Sequence, residues 1–90
     1  MERRETIESL WFRAGEAILA GDLPGAAEIF REMDAQTMEA LYRLRAAEQL
    51  VAEGRRAEAD EQLRPALAFY RSVGATRFVR EGESLLAASA

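Results

Sequence analysis

The 90-residue chain contains no cysteine, no histidine and no lysine. The absence of cysteine excludes disulfides, thiolate nucleophiles, zinc–thiolate sites and iron–sulfur clusters. The absence of histidine removes the imidazole base that works near neutral pH and the imidazole metal ligand. The absence of lysine removes side-chain Schiff bases and the phosphate-binding lysine of nucleotide-binding loops. Carboxylates, hydroxyls and arginine remain, and we expect no metal site, no cofactor and no enzymatic activity.

Long apolar runs are also absent. The longest apolar stretches are a few residues, whereas a membrane-spanning helix needs about 20. No apolar segment follows the charged N-terminus, so we do not expect a secretory signal. The net charge of −4 disfavours nucleic acid as a partner, because phosphate binding requires a basic face. We therefore expect a cytoplasmic protein that does not bind membranes.

The abundant residues favour helices. Alanine, leucine, glutamate and arginine make up 53 of the 90 residues, and all four are good helix formers. Valine, isoleucine and threonine number three each, and the alternating pattern of a strand is missing. The sequence predicts an all-α fold in a single domain that spans residues 1–90.

Glycines divide the chain into helices. Gly21, Gly54 and Gly74 each follow an apolar helical pattern, at the position where a left-handed residue commonly ends a helix. A less distinct break between predicted helices, at residues 34–37, offers Asp34 and Thr37 as N-caps. The predicted helices cover about 4–20, 24–33, 37–53, 57–73 and 76–88. Because the connections are short, successive helices are expected to be antiparallel neighbours.

Pro65 lies inside the fourth predicted helix. It removes one backbone hydrogen bond and crowds the carbonyl of Glu61. We therefore expect this helix to bend or to break locally at Pro65.

The two turn glycines Gly21 and Gly54 are 33 residues apart. Segment 14–22 aligns with segment 46–55 if the first copy is one residue shorter, and Ala26 then aligns with Ala59. A helix–turn–helix unit that recurs every 34 residues or so is the period of the tetratricopeptide repeat.

Several residues resemble the tetratricopeptide motif itself. The matching positions are Trp11, Ala14, Gly15 and Ile18 in the first helix, and Ala26, Phe30 and Met33 in the second. The second copy is more divergent, with Arg43 at the tryptophan position. The resemblance implies a right-handed array of antiparallel helix pairs, with repeat one at about 8–34, repeat two at about 37–70 and a capping helix at about 76–88. It also implies a module that binds a protein or peptide.

A narrower resemblance covers about residues 41–90. Segments 54–60 and 66–78 are similar to the C-terminal helical tail of large bacterial signalling proteins. Those proteins join a nucleotide cyclase or a transcriptional output domain to an ATPase and tetratricopeptide-like repeats. The resemblance implies a context and no activity, because this chain contains none of the cyclase or ATPase motifs.

The tetratricopeptide resemblance implies a concave groove lined by the first helix of each pair. Glu16 and Glu48 are assigned to equivalent places on that face, together with Arg45 and Val51. Two glutamates would repel a peptide carboxylate, so a basic or apolar partner is favoured. The alternative is that both glutamates are merely solvated.

A second candidate surface is predicted on the first helix. Trp11, Phe12 and Leu19 extend its apolar side chains beyond a single packed face. An apolar helix of this kind needs a second neighbour, either another copy of the chain or an upstream repeat. We expect a homodimer through this helix.

Two further functions stay open on the sequence alone. Arg43, Arg45, Arg55 and Arg56 form the densest basic cluster, and a small helical regulator that binds a ligand or nucleic acid would use such arginines. Interruption by Glu39, Glu48 and Glu53 argues against nucleic acid. An enzyme is the third alternative.

Overall fold

The structure, a computed structural model, describes residues 6–89. Within this range the chain forms five α-helices and no strand. The helices are α1 (Ile7–Leu19), α2 (Leu23–Glu32), α3 (Gln36–Ala52), α4 (Arg56–Ser72) and α5 (Thr76–Ser89). The all-α prediction is confirmed, and the predicted boundaries lie within one residue of these apart from the start of the first helix. Residues 4 and 5 of that predicted helix lie outside the described residues.

The four turns between consecutive helices share one backbone geometry. In each turn the residue after the C-cap has a positive φ, and these residues are Gly21 (78°), Asp34 (59°), Gly54 (76°) and Gly74 (70°). The next backbone N–H donates to the carbonyl five residues back, as Asp22 does to Ala17 at 2.8 Å. This hydrogen bond and a second, shorter-range one in the same turn satisfy carbonyls at the end of the preceding helix. Each connection therefore takes only three residues, and consecutive helices pack as adjacent pairs.

Side chains cap the first two helices. The Oγ1 atom of Thr6 accepts a hydrogen bond from the N–H of Ser9, and the Oδ1 atom of Asp22 accepts one from the N–H of Gly25, both at 3.0 Å. A Cβ at Gly25 would collide with the carboxylate of Asp22. Asp22 is thus the N-cap of α2, and Gly25 leaves room for its side chain.

The start of α3 differs from the prediction. Its N-cap is Ala35, without any side-chain cap, so the prediction that Asp34 or Thr37 caps this helix is wrong. Asp34 instead has the left-handed conformation of the preceding turn, which aspartate tolerates better than most residues. Thr37 lies inside the helix, one residue after its start.

The shared turn geometry fixes which residues of the α1–α2 and α3–α4 hairpins correspond. Since both turns take three residues, the offset is 33 residues on both sides of the glycine. The buried pairs at this offset are Leu10 and Arg43, Ala14 and Ala47, Ala26 and Ala59, and Phe30 and Leu63. The predicted one-residue gap is therefore not needed, and Trp11 corresponds to Leu44 rather than to Arg43.

The apolar core has two clusters. The first lies between α1 and α2 and contains Leu10, Ala14, Ala26, Ile29 and Phe30. The second lies between α3 and α4 and contains Ala40, Leu44, Ala47, Leu63, Ala66, Leu67 and Tyr70. Stacked rings extend each cluster to the next helix, because Phe30 stacks on Tyr42 of α3 and Tyr70 stacks on Phe78 of α5. The helices thus form one continuous row rather than two separate bundles.

Small residues mark the close helix contacts. Ala26, Ala47 and Ala59 are fully buried, as expected where large side chains of a neighbouring helix need room. Gly82 of α5 has the same role, because a Cβ there would lie 2.5 Å from Cδ2 of Leu67. Gly15 of α1 behaves differently, because a Cβ there would meet no atom within 4 Å apart from its chain neighbours and its own helix backbone.

Pro65 does not break α4. The helix is continuous from Arg56 to Ser72, and Pro65 is exposed. Buried Leu63, Ala66 and Leu67 flank the proline on the inner side of the helix. Packing therefore holds this backbone helical despite the missing hydrogen bond. The predicted local break is wrong, and the bend at Pro65 stays a prediction.

Candidate protein-interaction surface

The apolar side chains of α1 lie on two sides of the helix. Leu10 and Ala14 are buried against α2. Four large side chains remain in solvent, with exposed fractions of 56% for Ile7, 47% for Trp11, 69% for Phe12 and 90% for Leu19. The surface formed by these four residues and Gly15 is here named the α1 outer face. Ile7 and Trp11 therefore lie at the edge of the buried side of α1.

Helical periodicity brings the members of the α1 outer face together. Trp11, Gly15 and Leu19 follow one another at intervals of four residues, so they form a row along the helix. The ring of Trp11 meets the ring of Phe30 edge-on, with 5.4 Å between centroids. This contact anchors the inner edge of the indole while its outer edge stays in solvent. The row is thus fixed in position by α2.

Gly15 sits at the middle of that row. Glycine in a helix interior destabilises the helix by about 1 kcal/mol relative to alanine. No atom of the described chain comes within 4 Å of the place that its Cβ would take, and its φ is not in the left-handed region. Packing within the described chain therefore does not explain this glycine.

The predicted groove residues Arg45 and Glu48 contact each other. Nη1 of Arg45 lies 2.9 Å from Oε2 of Glu48 and 3.5 Å from Oε1 of Glu81 in α5. The hydrogen bond with Glu48 raises the pKa of the Arg45 guanidinium despite partial burial. Arg45 therefore links α3 to α5, and the charges of Arg45 and Glu48 are both paired within the chain.

Glu16 does not occupy a place equivalent to that of Glu48. At the 33-residue offset Glu16 corresponds to Gln49, and Glu48 corresponds to Gly15. Glu16 is exposed on α1, and Val51 is half-buried on α3. The four predicted groove residues therefore do not form one repeated binding row.

The predicted basic cluster is not a basic surface, because Arg43 is buried. Its Nε and Nη2 atoms each lie 2.8 Å from a carboxylate oxygen, of Glu39 in α3 and of Glu28 in α2. Its Nη1 atom donates to Gln62 of α4 at 3.0 Å. The hydrogen bond from Arg43 lowers the pKa of Glu28, although slight burial opposes this effect. Arg43 thus connects three helices.

Arg55 is exposed but paired as well. It lies 3.1 Å from Glu53 and 2.6 Å from Glu58. The hydrogen bond from Arg55 lowers the pKa of Glu58. With Arg43, Arg45 and Arg55 all bonded to carboxylates, the predicted cluster does not present the unpaired charge that phosphate recognition requires.

A cleft of about 330 Å³ lies where the α1–α2 turn meets the facing ends of α3 and α4. The charged residues that line it are Asp22, Glu53, Glu58, Glu61 and Arg55. Asp22 caps α2 and Arg55 binds two of the glutamates, so most of these groups serve the fold. Over residues 6–89 no three carboxylates are arranged to hold a metal ion.

None of the helices within the described range is both long enough and apolar enough to cross a bilayer. The exposed apolar surface is instead concentrated on α1. Compared with the models of known protein families, with curated proteins and with solved structures, the chain has no match.

Proposed function

We propose that the protein is a non-catalytic protein–protein interaction or assembly module of the tetratricopeptide-like type. The observation that carries this proposal is the α1 outer face. Its four large side chains leave about 500 Å² of apolar surface in solvent, taking roughly 200 Å² for each whole side chain. A patch of this size is comparable to the largest apolar patch on a typical monomeric protein, and such a patch is often functional.

The arrangement of the helices supports the tetratricopeptide-like part of the proposal. Two hairpins related by a 33-residue offset, with the same turn, approach the repeat period of that family. The row of helices measures 48 × 29 × 20 Å, an elongated form suited to stacking further helices at its ends. The composition supports a non-catalytic role, since it lacks histidine, cysteine and lysine.

The proposal extends to context. The resemblance of residues 41–90 to the tails of bacterial signalling proteins makes this chain a fragment or a stand-alone relative of such a tail, acting in the cytoplasm. In either case the partner is a protein or peptide that covers the α1 outer face.

The test places a photoreactive benzoylphenylalanine at Phe12, in the cells from which the chain comes. A matched control carries it at Ala68, which is exposed on α4. We expect covalent protein adducts from position 12 and none from position 68. The absence of any adduct at position 12, or equal labelling at both positions, would refute the proposed function.

A further inference from the structure

The α1 outer face is apolar on both sides of Gly15, with Trp11 and Phe12 before it and Leu19 after it. We propose that it binds the α1 outer face of a second copy of this chain, across a twofold axis that passes beside Gly15. This inference rests on the proposed function and names the partner for the same surface. The two α1 helices would run antiparallel, as a twofold axis perpendicular to a helix requires.

The spacing of the apolar residues suits this axis. Trp11 lies four residues before Gly15 and Leu19 lies four residues after it. In an antiparallel pair centred on Gly15, the indole of one copy therefore meets the second copy's Leu19, and the reverse contact repeats it. Phe12, three residues before Gly15, then lies level with the second copy's Ile18, which is partly buried against the α1–α2 cluster. The most exposed side chain of the face thus meets its largest one.

Gly15 supplies the room for the crossing. Helix axes pack 8–10 Å apart, depending on the side chains at the contact. A glycine at the axis permits the short end of this range, so the flanking side chains interdigitate. The open space around its missing Cβ, which nothing in the described chain uses, is then filled by the second copy.

The opposite end of the array does not fit the α1 outer face. The exposed residues of α5 include Arg77, Arg80, Glu83 and Ser84, and Glu83 is bonded to Arg71 at 3.0 Å. Stacking the apolar α1 of one copy on this polar surface would remove its charged groups from water, at a cost in desolvation. The contact therefore closes as a dimer instead of propagating head to tail as a filament.

The buried area sets the expected strength. About 500 Å² from each copy gives roughly 1,000 Å² of apolar area, and polar residues at the rim add to it. This total approaches the lower limit of stable interfaces, about 1,200 Å². We therefore expect a dissociation constant on the order of micromolar.

Sedimentation between roughly 1 and 300 µM brackets that constant. We expect a monomer–dimer equilibrium that Gly15→Glu weakens by roughly 100-fold or more, because the axis repeats the added bulk and charge. The helical circular dichroism of the variant should persist, since a Cβ at this position meets no side chain within 4 Å. Ala68→Glu adds the same charge to α4 and should leave the equilibrium unchanged.

Cysteine cross-linking tests the position of the axis. Because the chain has no cysteine, Gly15→Cys introduces a single thiol that the axis brings close to its copy. We expect rapid oxidation to a disulfide-linked dimer, and no such dimer from Ser84→Cys on α5. A monomer across the whole concentration range, or equal oxidation of both variants, would overturn the inference.

The outcomes also separate this inference from the proposed function. If position 12 cross-links to a different protein, or to an upstream part of a longer polypeptide, while the isolated chain stays monomeric, the second copy is rejected and the interaction module stands. If position 12 gives no adduct at all, both fail. An adduct with twice the mass of the chain supports both.

Discussion

Replacement of Arg43 by alanine tests how the helices are held together. The guanidinium is almost fully buried and bonds to α2, to α4 and to its own helix. Alanine removes these bonds together with the packing of the aliphatic stem. It also leaves Glu39 without this cation, and Glu28 with only Arg31, whose Nη1 lies 3.4 Å from Oε1 of Glu28.

The magnitude follows from how well those carboxylates reach water. Breaking a fully buried ion pair costs 3–5 kcal/mol, whereas an exposed pair contributes about 0–1 kcal/mol. The side chain of Glu28 is 55% exposed and that of Glu39 is 20% exposed, so both are partly rehydrated when Arg43 is absent. We expect a loss of about 2–4 kcal/mol, which lowers the Tm of a domain this size by roughly 10–25 °C.

Chemical and thermal unfolding followed by circular dichroism measure this loss. The matched control is Arg64→Ala, because Arg64 pairs with Asp60 on one exposed helix face, 2.6 Å away. This control should cost less than about 1 kcal/mol. Arg43→Met, which keeps an apolar stem but loses the charge and the hydrogen bonds, should fall between the two variants.

A double-mutant cycle isolates the contact between helices. Arg43→Ala and Glu28→Gln are measured singly and together, and coupled changes are expected to be non-additive by about 0.5–3 kcal/mol. The reasoning is refuted if Arg43→Ala is no more destabilising than Arg64→Ala. Additive effects of the two changes would show that the ion pair between Arg43 and Glu28 contributes nothing to stability.

Four further predictions concern packing, the proline and pH. Ala59→Leu should overpack the α3–α4 contact and cost about 1–3 kcal/mol in urea unfolding; an unchanged midpoint would contradict the assigned contact. Gly82→Ala should also destabilise, despite alanine's better helix propensity, because its Cβ would press on Leu67; a higher Tm would refute this. Pro65→Ala should stabilise by about 1–3 kcal/mol, since α4 is already helical there, and a lower free energy of unfolding would show that the proline is required. The pKa of Glu28 is below its ordinary 4.5, so its stabilising effect is present above that pH and disappears as the pH falls through the lowered value. Glu28→Gln should therefore lose less stability between pH 7 and pH 2 than the parent chain, and equal losses would contradict the assignment.

The turns show why most of the fold could be predicted from the sequence. Gly21, Gly54 and Gly74 stand where the backbone needs a positive φ, and glycine adopts it at no steric cost. Each of these glycines therefore indicates the end of a helix from the local sequence alone. Asp34 adopts the same conformation, but aspartate does not indicate a positive φ as glycine does. Asp34 was therefore predicted to be an N-cap.

The role of Arg43 could not be predicted in this way. Two of its partners, Glu28 and Gln62, lie 15 and 19 residues away in the chain. No local sequence pattern specifies these two contacts. One local signal was available, because Arg43 lies among the apolar positions of α3 and four residues after Glu39. Its equivalence to buried Leu10 emerged only once the turn geometry gave the 33-residue offset.

The α1 outer face was predicted in part. Composition along the helix revealed the excess apolar surface at Trp11, Phe12 and Leu19. The open space at Gly15 could not be predicted, since it depends on where α2 and α3 lie. From the sequence alone, a glycine among the small residues of a repeat pattern indicates close helix packing as readily as an open surface.

The row of helices also implies an uneven resistance to local opening. In an array whose members contact mainly their neighbours, each helix is protected by the interfaces it shares. The central helix α3 packs against α2, α4 and α5, whereas α1 relies mainly on α2. Backbone amides of α1 should therefore exchange with deuterium earlier than those of α3. A second copy bound to α1 would slow that exchange as the protein concentration rises, so the least protected helix would become a reporter of assembly.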